Sequence, residues 1–398
     1  MDVFQKCRDF KRAKEAMEHG IYPYFLPIEE NYGPRVRMNG REVIMIGSNN
    51  YLGLTQDPRV QEAAIQAIER YGTSCSGSRF LNGTLALHEE LEHRLARFVR
   101  KEAALVFSTG YQTNLGSIST LIDKHDIVVT DKTNHASIFD GIFLAYGIRL
   151  GVTVKRYRHN DMDDLERVLS ALNPEAPKLI VTDGVFSMEG DIVQLPRLVA
   201  IARKYNARLY LDDAHGIGVL GETGRGTMEH FGIFREVDLV MCTFSKSFAS
   251  LGGFVAGEEQ VVHYIKHFAR PLIFSAAIPP ANIAAVLKSL EIIEKEPQIV
   301  RRLHTISERM RREFQAMGFN TGESQTPIIP IVIGDDMKTF QFWKALFEAG
   351  IYTNAVISPA VPPDRSLLRT SYMATHTDND LDRVLETFKR IGKKIGII

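Results

Sequence analysis

The chain has 398 residues, enough for two domains, and its 44% hydrophobic and 24% charged content excludes collagen-like, low-complexity and disordered classes. Lys plus Arg number 48 and Asp plus Glu number 48, so no net field draws the protein to nucleic acid, and a small-molecule partner is the default. The three cysteines, Cys7, Cys75 and Cys242, show no C-x-x-C spacing, which argues against a disulfide framework and a thiolate zinc site and fits a reducing cytoplasm.

Residues 5–19 carry a mixed helical pattern, with charges throughout and no apolar run of signal-peptide type. The alternation in RVRMNGREVIMIG predicts a hairpin over 35–47. From residue 58 helical and strand patterns alternate. PRVQEAAIQAIERYG and LALHEELEHRLARFVR read as helices, ALVFS and IVVTD as strands. LIVTD, RLYLD, VDLVMCTF and GGFVAG follow as further strands, with NDMDDLERVLSAL and LPRLVAIARKY as covering helices. That succession is what a mostly parallel sheet in an α/β domain requires. After residue 278 two long helical patterns, PPANIAAVLKSLEIIEKEP and VRRLHTISERMRREFQAMG, precede the strand TPIIPIVIG, predicting a smaller α+β domain. No apolar stretch approaches the ~20 residues of a membrane span, while amphipathic surface contact stays compatible with the pattern.

HGIGVLG at 215–221 matches a dinucleotide fingerprint, but DDAH separates it from the strand and ETGRG follows it where a helix should begin, so a nicotinamide site has little support. Lys246 in TFSKSFASLGG is a stronger signal. It follows an apolar run among Thr243, Ser245 and Ser247, where a partly desolvated amine is suited to condense with an aldehyde. Asp212, Asp213 and His215 close the strand RLYLD. They admit three readings: a solvated turn, a metal site lacking further ligands, or a carboxylate that keeps a pyridine nitrogen protonated with a histidine at the ring's phenolic oxygen. In STGYQTN, Gly110 and Tyr111 lie between a strand and a helix start, an arrangement that binds phosphate through backbone N–H groups. His135 falls at a helix start, where an imidazole is either structural or stacked on a flat ring.

In chain order, NNYLGL (49–54), GTSCSGSRFLNGT (72–84), FSTGYQTN (107–114), NHASIFDG (134–141), TDGVFSMEGD (182–191), DDAHGIGVLG (212–221), TFSKSFASLGG (243–253) and LLRTSYMATHT (367–377) resemble the α-oxoamine synthases. These are fold-type I enzymes dependent on pyridoxal 5'-phosphate, and the resemblance spans nearly the whole chain. It implies a mostly parallel seven-stranded sheet in a large cofactor-binding domain at 46–280. An arm and hairpin at 1–45 and a small α+β domain at 281–398 complete the expected organisation. By this resemblance Lys246 holds the cofactor aldehyde and serves as general base, Asp212 partners the pyridine nitrogen, His215 the phenolic oxygen, and His135 stacks on the ring. Gly110, Tyr111, Thr243 and Ser245 fall at cofactor and phosphate contacts, Ser187 near the ring, and Ser275 at a position reaching a partner subunit's phosphate. Asn49 and Arg369 match the residues that hold an amino-acid carboxylate, where a guanidinium fork fixes orientation.

The implied activity is a decarboxylating condensation of an amino acid with an acyl-CoA, carried out at a homodimer interface. GSRFLNGTLALH, FSMEGDIVQLP and SPAVPPDRSLLRTSYMATHT look most like members that join L-serine to palmitoyl-CoA, giving 3-ketodihydrosphingosine in sphingolipid synthesis. Ser78, where glycine-using members carry Thr, leaves slightly more space for a substrate side chain. GIYPYFLPIE at 20–29 lacks the arginine that members using pimeloyl-CoA place hereabouts for its carboxylate, which favours an uncharged acyl end. AVISPAVPP departs from some serine-using members in lacking an arginine. Glycine with acetyl-CoA, an 8-amino-7-oxononanoate synthase, and a catalytically idle relative are the competing readings. The last would be expected to have lost Lys246 or Asp212.

Overall fold

The computed structural model describes residues 2–149 and 151–398. The N-terminal helical pattern forms two short helices, Gln5–Arg8 and Arg12–Glu18, rather than one, and neither buries a residue. Phe4, Phe10 and Met17 stay exposed, and short helices without a packed face are marginal. The short strand β1 (Glu30–Asn31) leads into the expected hairpin of β2 (Arg35–Met38) and β3 (Arg41–Met45). Asn39 (φ 51°) and Gly40 (φ 71°) both adopt the left-handed backbone that a two-residue hairpin turn requires.

The central sheet contains β4 (Ala103–Phe107), β5 (Ile127–Asp131), β6 (Thr153–Tyr157), β7 (Lys178–Asp183), β8 (Ala207–Asp212), β9 (Leu239–Thr243) and β10 (Gly253–Gly257). Their order is β4-β10-β9-β8-β7-β5-β6, parallel except for β10, which runs antiparallel to both its neighbours. Six of these strands are continuous apolar runs because helices cover both faces of the sheet. The edge strand β6 exposes Lys155 and Arg156, and it escapes a reading based on buried runs.

The smaller sheet is built from β11 (Ile328–Val332), β13 (Asn354–Val356) and β14 (Leu367–Ser371), with β14 in the middle. Between them β12 (Ile351–Tyr352) joins β3 in parallel, Ile351 opposite Ile44. The hairpin therefore shares a core with the C-terminal helices, through Val36, Ile44, Phe314, Phe342 and Phe388. Among the described residues no helix is long and apolar enough to cross a membrane.

HGIGVLG is a tight turn folded onto Asp213, not a phosphate loop. A Cβ at Gly216 would stand 1.9 Å from Asp213 Oδ1, and the next helix, Thr227–Phe231, begins only after the turn has closed. The segment bearing Ser78 is pinned by a buried ion pair. Arg79 donates to both oxygens of Glu92, at 2.8 and 3.1 Å, and Glu92 also accepts from Val106 N in β4. Glu92→Ala strands the guanidinium of Arg79 in the interior, and a loss of about 3–5 kcal/mol is expected. Urea unfolding of the variant beside wild type measures it, and an unchanged midpoint would show that the pair is not holding this segment.

Candidate active site

The strands β5, β7, β8 and β9 end on one side of the sheet, the crevice where open α/β sheets bind ligands. A cavity of about 270 Å³ opens there. Gly110, Tyr111, His135, Ser187, Asp212, His215, Thr243, Ser245 and Lys246 all line it, so nine of the expected site residues meet across 137 positions of sequence.

Each is placed by a local feature. Thr109 caps the helix Gly110–Leu121 by accepting from Gln112 N, which leaves the first N–H groups of that helix facing the cavity. Gly110 allows the helix to approach β9, since a Cβ there would lie 2.5 Å from Thr243 Oγ1. Thr243 and Ser245 are linked through their hydroxyls at 2.9 Å. His135 caps the helix Ala136–Ile148, and its Nδ1 lies 2.7 Å from Ser137 Oγ.

Asp212 is 4% exposed, with Oδ1 accepting from Ala214 N at 3.0 Å and Oδ2 from Asn114 Nδ2 at 2.6 Å. His215 Nδ1 is 2.7 Å from Tyr51 Oη in a buried contact. Lys246 is half-buried, and its amine has no hydrogen-bond or ion-pair partner among the described residues. Burial lowers its pKa to about 8 against the opposing pull of Asp212. Burial likewise lowers His135, and it holds His215 well below its usual range with help from the charges of Lys246 and Arg369. Both imidazoles are therefore neutral at physiological pH.

Arg369, on β14 of the smaller sheet, and Asn49 do not line the cavity themselves but stand behind Ser187, which does. Arg369 Nε donates to Ser187 O at 2.6 Å and its Nη2 to Asn49 Oδ1 at 3.0 Å, with Tyr51 Oη beyond. Two arms of the guanidinium are thus committed to the protein, and Nη1 has no protein partner among the described residues. Ser78 and Ser275 do not line this chain's cavity. Ser78 pairs with Ala276 in an isolated bridge, and Ser275 accepts from Gln112 Nε2 at 2.9 Å. Asn114, Tyr51 and Asp183 are the residues that motif reading passed over. Asn114 sits inside FSTGYQTN and Asp183 is the second residue of TDGVFSMEGD, but only packing shows what they touch.

The cavity offers an amine of lowered basicity, a buried carboxylate fixed by two donors, neutral imidazoles and a helix N-terminus free to take an anion, a set that suits the aldehyde, ring nitrogen and phosphate of pyridoxal phosphate. With the sheet order, this defines a fold-type I pyridoxal-phosphate transferase. The family description "Aminotransferase class I and II" matches residues 41–388, and the chain belongs to that family. It is 49% identical to a serine palmitoyltransferase of Sphingobacterium spiritivorum, over 99% of this chain and 97% of that protein. An 8-amino-7-oxononanoate synthase of Thermoanaerobacter pseudethanolicus is 41% identical, over 98% and 97%. A solved serine palmitoyltransferase from S. paucimobilis with a bound PLP–myriocin aldimine superposes with a TM-score of 0.96 at 35% identity, covering all of both chains. The protein is a pyridoxal-phosphate-dependent acyltransferase.

An amine with a pKa of about 8 has a neutral fraction of roughly one in ten at pH 7, against fewer than about one in a thousand at the ordinary value of 10.5. Because the neutral form attacks an aldehyde, cofactor uptake by the stripped protein is expected to quicken with pH up to about 8 and then level off. Stopped-flow absorbance across pH 6–10 measures this. A rise that continues to pH 10 would mean that Lys246 is an ordinary exposed amine.

Proposed function

We propose that the protein condenses L-serine with a long-chain acyl-CoA, palmitoyl-CoA in particular, releasing carbon dioxide and coenzyme A and giving 3-ketodihydrosphingosine. The observation that carries this reading is the meeting of Lys246 and Asp212 in one cavity beside the Arg369–Asn49–Ser187 cluster. The serine palmitoyltransferase relatives support the choice of substrates.

When bound, pyridoxal phosphate supplies an electron sink for the bond broken at the amino acid's Cα. Lys246 would hold its aldehyde, Asp212 its ring nitrogen and His215 its phenolic oxygen, with His135 and Ser187 at the ring. Gly110, Tyr111, Thr243 and Ser245 would hold its phosphate end. Arg369 binds the serine carboxylate through the arm left free, and Asn49 steadies that arginine. Lys246, whose lowered basicity makes a neutral amine accessible near pH 8, takes the proton from Cα and returns one after carbon dioxide has left. The neutral histidines leave Asp212 as the charge that complements a protonated ring.

Ser78 and Ser275 lie on two segments joined beside exposed Phe80, Leu81 and Phe274, and this supports a homodimer in which both serines serve the partner's site. We retain 46–280 and 281–398 as the large and small domains, with the hairpin of 1–45 packed on the latter. The three free thiols support a cytoplasmic location. The exposed Val3, Phe4 and Phe10 among Lys6, Arg8, Lys11 and Arg12 support peripheral contact with lipid.

Coenzyme A release measured with serine, glycine or alanine against palmitoyl-, pimeloyl- or acetyl-CoA tests the assignment. Serine with palmitoyl-CoA is expected to turn over fastest, and faster turnover of glycine with acetyl-CoA, or of alanine with pimeloyl-CoA, would overturn it. Arg369→Lys loses the fork, and the KM for serine is expected to rise about tenfold or more with a smaller change in kcat. Steady-state kinetics separates the two, and an unchanged KM would remove Arg369 from the carboxylate site.

A further inference from the structure

Asp183 ends β7 directly beside Asp212 at the end of β8, the two paired in register in parallel strands about 5 Å apart. Both line the cavity and both are 4% exposed. Their surroundings differ. Both oxygens of Asp212 are taken by N–H donors, from Ala214 and Asn114. Asp183 has one such donor, His135 N, 3.1 Å from Oδ2, while its Oδ1 is sealed from water and has no partner among the described residues. Two carboxylates this close, out of water, do not both ionise, and the one with more donors keeps the charge.

We propose that Asp183 is the neutral member of an acid pair: it keeps its proton, so that the negative charge stays on Asp212, while its Oδ2 anchors the backbone N–H of His135 at the helix start beside the cavity. Burial first, and then the charge of Asp212, push the Asp183 carboxyl well above the usual carboxylate range. The other groups that face it are Asp131 from β5, Tyr157 from β6, His135 at its helix start and Lys246 beyond β9, and His215 and Arg369 in turn face Lys246. Lys246 opposes the shift without cancelling it, and Asp131 adds to it. The assignment gives Asp183, which closes the strand LIVTD and lies inside TDGVFSMEGD, a role in holding the cofactor.

The inference rests on the pyridoxal-phosphate reading, and the test uses the holoenzyme. Asp183→Asn keeps the shape, the neutral charge and an oxygen that accepts from His135 N, whereas Asp183→Ala removes that contact. The Asn variant is expected to bind pyridoxal phosphate within about threefold of wild type, and the Ala variant about tenfold or more weakly, by equilibrium dialysis. The pH at which the bound cofactor's visible absorption changes is expected to stay within about 0.3 unit in the Asn variant, because no charge has been removed. A fall of about one unit in that midpoint would show that Asp183 is natively ionised and would overturn the proposal, as would an Ala variant with undiminished affinity. If circular dichroism shows that the Ala variant does not fold, the Asn titration decides alone. Wild-type protein that takes up no pyridoxal phosphate overturns the cofactor reading and the proposal together, whereas a normal wild type with a shifted Asn variant overturns the proposal only.

Discussion

A carboxylate can sit at the end of a central strand, out of water, only where donors replace the solvent it has lost. At Asp212 those donors are the backbone N–H of Ala214 and the amide of Asn114. Asn114 does more than neutralise a desolvation cost. Its side chain also donates to Ser137 Oγ and accepts from Tyr210 Oη, so one amide ties the helix Gly110–Leu121 to the start of the helix Ala136–Ile148 and to β8. The helix N-terminus, the capping His135 and the strand-end carboxylate are therefore placed relative to one another by a single buried hub.

Around that hub the titratable groups have been sorted by burial. Lys246 gives up basicity, and His135 and His215 give up their charge. Asp213, next to Asp212, is spent on structure. Its carboxyl is pushed up to about 7 by burial and holds Thr227 through both N and Oγ1, closing the turn that a motif search mistakes for a phosphate loop. Adjacent acids in one sequence triplet thus have opposite fates because the strand pleat turns them to different neighbours.

The substrate side of the cavity is assembled differently. Asn49, Ser187 and Arg369 come from a segment after the N-terminal hairpin, a loop after β7 and the middle strand of the small sheet. Their contacts join the two sheets beside the cavity.

The order of apolar runs determined the central sheet, because strands covered on both faces need continuous hydrophobic residues and little else. The spacing of Lys246, Asp212, His215 and Gly110 determined the chemistry, because each motif is local and closes a strand or opens a helix. The same local logic missed β6, whose outward face is charged. It also missed the short strands β12, β13 and β14; β12 is held by β3, about 300 residues away in sequence, and β14 by β11. It was silent on Asp183, Asn114 and Tyr51, and it placed Ser78 beside a substrate that this chain's own cavity keeps away from it. Only the tertiary structure decided those positions: which oxygen is left without a donor, and which side chain faces which, depend on strand register and helix approach that bring together residues from opposite ends of the chain.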